Sequence, residues 1–462
     1  MSVADGAAAE EAFCKRPTPF VAVASIIISM GLVAISSGIM FGYIPIKLAA
    51  ENFPPWISGA MVTGVAAGGV IGCLGTGFVV RRAGHARAFM ALVALQLLSF
   101  VAISAGTFPW IWLAARFVFG FAVTGLFIVS QSWLNDATDN EWRGRVIALF
   151  YMIYILSVGF GSFLLRFTTL EGPLVPMLAL IAVTLSIFPI AMTRLPPPPP
   201  PESAAIAFRA IWQISPVGLA GMLTVGGLTL LVAGFAPIFA ATQGYQKNDI
   251  ALMMFLMQFG MIAIQFPLGA WSDRIDRRIV LLVASALVVI ATGILFSLPA
   301  PDFLILIVVF ALWSGATESI YAISNAHAND RSDPQYYVSL SSTLLIAWSL
   351  SGFIVPAITT AITPIFGPRS FMMVALVLSG SYLLFVLGRL RATVAVPDED
   401  TEAFVPMSAQ IPYGTDLAAG DADPEIEQQT PDADRLAELN EQAEVLLGMM
   451  SWPTDRPAED ET

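Results

Sequence analysis

Residues 40 to 49 read MFGYIPIKLA, and residues 232 to 241 read VAGFAPIFAA. Gly42, Pro45 and Ile46 of the first stretch recur as Gly234, Pro237 and Ile238 of the second, each 192 residues later. The same offset holds further along. Gly77 and Arg82 of GFVVRRAGHAR (77–87) match Gly269 and Arg274 of GAWSDRIDRRI (269–279), with no gap in between. One register kept across two apolar segments and a basic loop predicts a chain built from two duplicated halves.

The halves belong in a bilayer. Of 462 residues, 56% are hydrophobic and 12% charged, a balance that a water-soluble domain could not carry without exposing large apolar patches. A helix needs about 20 apolar residues to cross the hydrocarbon core. Such segments fall near 20–48, 57–80, 88–106, 110–133, 146–165 and 173–192, and again near 216–241, 250–272, 279–298, 303–324, 337–363 and 370–390. The expectation is an all-α membrane protein of twelve transmembrane helices in two six-helix, pseudo-symmetric halves, 20–193 and 216–391. A twelve-span topology also segregates the cations. With both termini inside, fifteen Lys and Arg fall in cytoplasmic loops, and only Lys47, Arg166, Lys247 and Arg369 fall outside, as short cytoplasmic loops require. The predicted location is therefore the cytoplasmic membrane, with both ends in the cytosol.

The soluble pieces are few. An N-terminal arm covers 1–19, and a linker covers 194–215, opening on RLPPPPPPES (194–203). Its six prolines predict a stiff spacer of about 19 Å. The segment 392–462 carries 18 acidic and 2 basic residues, so the net charge of -12 is a property of the tail and the remainder is net positive. This composition predicts a mostly disordered cytosolic tail, with an amphipathic helix at 432–450 that either docks on a cytosolic partner or forms transiently. No basic face for nucleic acid remains. Cys14 and Cys73 read as free thiols, and no metal or cofactor signature occurs. Without a phosphate-binding loop or catalytic motif the chain is not expected to be an enzyme. His85 and His327 are expected in cytoplasmic loops.

The loop Gly269-Ala-Trp-Ser-Asp273-Arg274-Ile-Asp276-Arg277-Arg278, together with Arg116-Phe-Val-Phe-Gly120 in the fourth span, resembles the major facilitator superfamily. With SQSWLNDATDNEWRGRV (130–146) the pattern is most similar to its uncharacterised bacterial YcaD-like branch. The resemblance spans 20–391 and implies alternating access around a central site for a small molecule. It also implies a charge latch at the cytoplasmic gate, made of Gly269, Asp273, Arg274, Arg277 and Arg278 in one half and Gly77, Arg81 and Arg82 in the other. Arg81 stands where the family usually has Asp, so the latch is expected to be asymmetric. Asn135 and Asp136, facing Arg143 and Arg145 across a short loop, are expected to add a polar cluster at this gate, with Asn325 and Asp330 in the corresponding loop of the second half. The fifth span, SVGFGSFLL (157–165), lacks the Gly-Pro pair of proton-driven drug exporters.

Two ionisable side chains stand clearly within apolar spans: Arg116, and Glu318 inside FALWSGATESIYAISN (310–325). A charge at mid-membrane costs about 2.5–3.5 kcal/mol, so such groups face a cavity or a partner. Glu318 is a candidate for proton or cation binding, and Arg116 for an anion or an internal carboxylate; a hydrated or purely charge-neutralising role is open for each. Gln131 stands roughly where Glu318 does, at an offset of 187, and cannot titrate. Tyr43, Trp133, Trp313 and Tyr321 either line the cavity or pack. The sequence thus points to a secondary active transporter with proton coupling through Glu318 as the further step. The alternative is a transporter-like sensor or assembly partner that works through its acidic tail, separable by deleting 400–462.

Overall fold

Proline starts several of these helices at the one place where its missing N–H does no harm: Pro55, Pro109 and Pro216 occupy first-turn positions. The computed structural model describes residues 19–138, 140–193, 206–298, 301–333 and 336–392. The first half holds Pro19–Ala50, Pro55–Ala83, His85–Ser104, Pro109–Ala137, Asn140–Leu164 with a 3-10 turn at Leu165–Phe167, and Leu174–Leu185 continued by Ile187–Met192. The second half holds Pro216–Thr242, Lys247–Ser272, Arg277–Ser297, Phe303–Asn329, Tyr337–Phe366 and Ser370–Ala392. Twelve helices among the described residues are long and apolar enough to cross a membrane, as the hydropathy predicts. Their outward faces carry Leu74, Phe78, Leu98, Leu304 and Leu384, all exposed, which suits lipid and not water. Residues 1–18 of the expected arm 1–19, the proline run, and the tail from 393 on, with its helix at 432–450, lie outside the described residues.

The duplication is visible in the helix starts: Pro55 and Lys247, like His85 and Arg277, begin their helices 192 residues apart. The fourth and tenth spans begin at Pro109 and Phe303, 194 apart, a register that sets Thr124 closer than Gln131 to the place of Glu318. Within each half the tightest seams are made by glycine. On the second and fourth spans, a Cβ added at Gly68 would lie 1.9 Å from the Phe117 carbonyl oxygen, and one at Gly120 would lie 2.0 Å from that of Val65. The eighth and tenth spans repeat this with Gly260 against Ala311 and Gly315 against the Gly260 oxygen. With no hydrophobic drive between helices in lipid, such close backbone approach is what holds them together.

The first and seventh spans are the most enclosed, with 72% and 83% of their apolar windows buried against 33% for the twelfth. Each carries its repeat proline, Pro45 or Pro237, inside the helix, and they pack against one another along with the pairs second–eleventh and fifth–eighth. Contacts across the halves include Thr63 to Thr360 (3.2 Å between hydroxyls), Phe163 to Phe255 (5.0 Å between rings) and the Lys247 ammonium donating to the Thr168 carbonyl. All three lie toward the arginine-poor ends of their helices. The Cys73 thiol meets the Ser349 hydroxyl at 3.5 Å, nearer mid-span.

Two observations concern the connecting segments, and the second corrects an expectation. Part of the linker is helical: Phe208–Ile214 lies on the second half, with the Ala207 N–H donating to Thr343 Oγ1 at 3.0 Å and Trp212 against Phe385 at 5.8 Å. The histidines are not in loops. His85 opens the third span and His327 lies in the last turn of the tenth, each 4% exposed. Basic neighbours suggested a loop, but the helices run on past the apolar stretch that hydropathy detects.

Candidate functional site

Arg116 comes seven residues after Pro109 in the fourth span, about 10 Å from that helix end at 1.5 Å per residue. Its side chain is 2% exposed. The guanidinium carbon sits 4.8 Å from the Phe41 ring centre and 4.6 Å from that of Phe119. Gly64 on the second span leaves room for the arginine stem, its missing Cβ being 3.8 Å from the Arg116 Cβ. No hydrogen bond or ion pair among the described residues involves Arg116, and its Nε and Nη1 are buried without partners. Two cation–π contacts of about 1–2 kcal/mol each offset the cost of burying the charge. The unfilled donors still cost about 1–3 kcal/mol apiece, so the site is left short of an acceptor.

That acceptor has a place. Arg116 lines a crevice of about 260 Å³, counting its open side, together with Phe41, Pro45, Ser58, Met61 and Ile238 among others. The walls come from the first, second, fourth and seventh spans, so the crevice lies between the halves and beside the repeat-related residues Pro45 and Gly234. Tyr43, two residues from Phe41, is 3% exposed and turns to Trp112 at 6.1 Å.

At the arginine-rich end of the second half, Asp276 caps the ninth span by accepting from the Arg278 N–H at 3.0 Å, and pairs with the Arg278 guanidinium at 2.6 Å. Arg277 pairs with Asp330 at 2.6 Å, both side chains almost fully buried, and reaches Asp273 at 3.9 Å. Although burial raises the Asp276 pKa, the hydrogen bonds and charge of Arg278 hold it below the usual carboxylate value. Its depressed folded value means that Asp276 stabilises at pH above the ordinary aspartate range, and that the contribution is lost as pH falls through the folded pKa. Asp276→Asn should therefore lower stability equally at pH 7 and pH 5, with the loss shrinking only below about pH 4. Asp330→Ala removes the 2.6 Å partner of a buried Arg277 and should cost about 3 kcal/mol in denaturant unfolding of the detergent-solubilised protein; a loss under about 0.5 kcal/mol would mean the pair is solvated.

The model of the Major Facilitator Superfamily matches residues 26–246 and 217–419, and so covers both halves. The chain belongs to the major facilitator superfamily. Similar relatives are the uncharacterized MFS-type transporter YcaD of Escherichia fergusonii, 22% identical over 78% of this chain and 94% of the relative, and that of Salmonella arizonae, 21% identical over 77% and 92%. Among solved structures, the nucleoside transporter NupG has a similar fold at a TM-score of 0.63 and 9% identity, covering 81% of this chain and 99% of NupG. The D-xylose-proton symporter does so at 0.64 and 12%, covering 80% and 97%. These likenesses carry the fold, not the cargo.

In this major facilitator protein the other candidate residues lie apart from the crevice. Glu318 is 1% exposed in the tenth span, where its backbone carbonyl accepts from Gln265 Nε2 at 3.4 Å. Arg116 and Glu318 form no ion pair with each other. The Gln131 amide donates to the Tyr151 hydroxyl at 2.5 Å. Trp133 packs on His85 and Phe89, Trp313 stacks on Phe371, and Tyr321 is buried in the second-half core. The two corresponding loops differ in charge pairing: Arg81, Arg82 and Arg87 are exposed, and no ion pair among the described residues holds that loop, whereas Gly269 and exposed Arg274 flank the paired cluster of the second half. Gly77 leaves open space in which only Arg81 comes near.

The polar cluster expected at the inner end of the fourth span does not form among the described residues. Asp136 is exposed and pairs with neither arginine, and the Asn135 side-chain oxygen is buried without a partner. Arg145 lies over the Trp142 ring at 4.9 Å. Stacking on an adjacent indole requires no chain reversal, whereas pairing with Asp136 does. Asn325 lies within the tenth helix, donating to the Tyr321 carbonyl at 3.4 Å, and not in a loop. The close glycines Gly68, Gly260 and Gly315 were not singled out by sequence reading, although Gly68 and Gly260 stand 192 apart.

Proposed function

We propose that this chain is a secondary active transporter of the cytoplasmic membrane, moving a small molecule by alternating access, with its arginine-rich end and both termini in the cytosol. The observation that carries this reading is the crevice itself: a nearly buried, unpaired cation in a gap between two repeated halves. The halves meet through contacts toward the arginine-poor end, as in a state closed to the outside. Fifteen cations against four support the orientation. Rocking of one half on the other would open the crevice first to one side and then to the other.

Glu318 is the proton-binding candidate, because it is the one carboxylate set deep within a span among the described residues. A buried carboxylate can load and release a proton as its surroundings change between states. One protein of similar fold is named a proton symporter.

Accessibility tests the alternation without knowledge of the cargo. In a Cys14→Ser, Cys73→Ser background, Ile238→Cys should react with an impermeant maleimide from both sides of the membrane, assayed in right-side-out and inside-out vesicles. Adding Thr63→Cys and Thr360→Cys, whose hydroxyls now lie 3.2 Å apart, and oxidising them should abolish labelling from the outside alone. Labelling from only one face in the uncrosslinked protein would sink alternating access.

A further inference from the structure

The helices that enclose Arg116 supply no counter-charge. The first, second and seventh spans contain no Asp or Glu, and the fourth contains only Asp136, twenty residues and about 30 Å along the helix from Arg116. Glu51, just past the first span, is held by Lys47 at 2.9 Å and by the Thr107 hydroxyl at 2.8 Å. A cation that is buried, set against two aromatic rings and without acceptor for Nε or Nη1 is placed to meet an anion from outside the chain.

We propose that the crevice binds the carboxylate of a small, mostly apolar monocarboxylate, with Arg116 as its single cationic anchor. The guanidinium presents planar N–H forks that fit a carboxylate edge. Ser58, 5% exposed and also on the crevice wall, supplies a second donor. One positive charge balances one negative charge, and a dianion such as hydrogen phosphate would keep an uncompensated charge among apolar walls. Those walls are Met40, Ile44, Met61, Val62 and Ile238, which favour a hydrocarbon body over a sugar. Behind its open side the crevice has closed room of about 20 Å³, enough for about one water molecule, so the carboxylate enters as the halves part and its body is small. The inference names the cargo class of the transporter proposed above, and rests on that reading only in calling the ligand cargo.

Binding to the purified full-length protein in detergent decides it. Benzoate and butanoate should raise the melting temperature in a saturable way, whereas benzamide, an uncharged near-isostere of benzoate, and inorganic phosphate should not. Arg116→Gln should weaken benzoate binding at least about tenfold, with Arg116→Lys intermediate, since an ammonium keeps the charge and loses the fork. Met61→Trp keeps the arginine and fills the crevice, and should also abolish binding; it decides the matter if Arg116→Gln does not fold. Equal effects of benzoate and benzamide, a response to phosphate or chloride alone, unchanged affinity in either variant, or no binding at all would each overturn the proposal. Counterflow of labelled benzoate in proteoliposomes then separates the two readings. Binding without flux counts against transport and leaves the anion site standing, and flux without Arg116-dependent binding does the reverse.

Discussion

Gly68→Ala and Gly120→Ala should each strip folded protein from the membrane fraction, while Gly293→Ala should be harmless. The added methyl at Gly68 would lie 1.9 Å from the Phe117 carbonyl oxygen and that at Gly120 2.0 Å from the Val65 oxygen, whereas nothing lies within 4 Å at Gly293. Ordinary carbon–oxygen contact needs more than 3 Å, and neither obstacle is a side chain that can turn aside. The second and fourth spans must part by about 1 Å or more, which forfeits packing along the whole seam. The cost should be about 3 kcal/mol or more at each site. At Gly293 the same change removes a glycine from a helix interior and should stabilise by up to about 1 kcal/mol. The measurement is the monodisperse yield and denaturant midpoint of the three variants in one detergent. Equal behaviour would show that the seam is loose. The seam also positions the site, because Arg116 lies one turn before Gly120 and beside Gly64, so Gly120→Ala protein that does fold should have a disturbed crevice.

Glu318→Gln should abolish uphill accumulation driven by an imposed pH gradient and leave passive exchange of the same solute intact. The glutamine keeps the shape of the side chain and removes only the proton site, so a transporter that needs Glu318 for coupling becomes a uniporter. In proteoliposomes screened with a panel of small solutes, gradient-driven accumulation should fall by at least about tenfold, the scale of a driving force of 1.4 kcal/mol or more lost, while counterflow stays near native. Unaltered accumulation would remove Glu318 from the coupling path. Loss of counterflow as well would recast it as a structural or substrate-holding residue.

The sequence made the spans legible because lipid imposes one strong requirement, about 20 apolar residues per crossing, and the charge segregation between loops checks the count. The crevice was half legible. Arg116 stood out as a charge where charge is costly, but its company of Phe41, Ser58 and Ile238 comes from three other helices, and nothing in the spacing announces which faces converge. Gly68 was hidden for a different reason. Small residues inside an apolar run alter neither hydropathy nor charge, and only the offset of 192 to Gly260 hinted at it. The polar cluster around Asn135 and Asp136 was inferred from nearness in the chain, and lost to a local alternative, the stacking of Arg145 on Trp142.

The glycine seams are internal to each six-helix unit, and an even number of crossings returns each unit's end to the side on which it began. A ribosome could therefore release the two units as separate polypeptides, and both would enter the bilayer the same way up, each already zipped. What the intervening tether then adds, beyond the helix it lays on the second unit, is stoichiometry: one copy of each unit for every copy of the other.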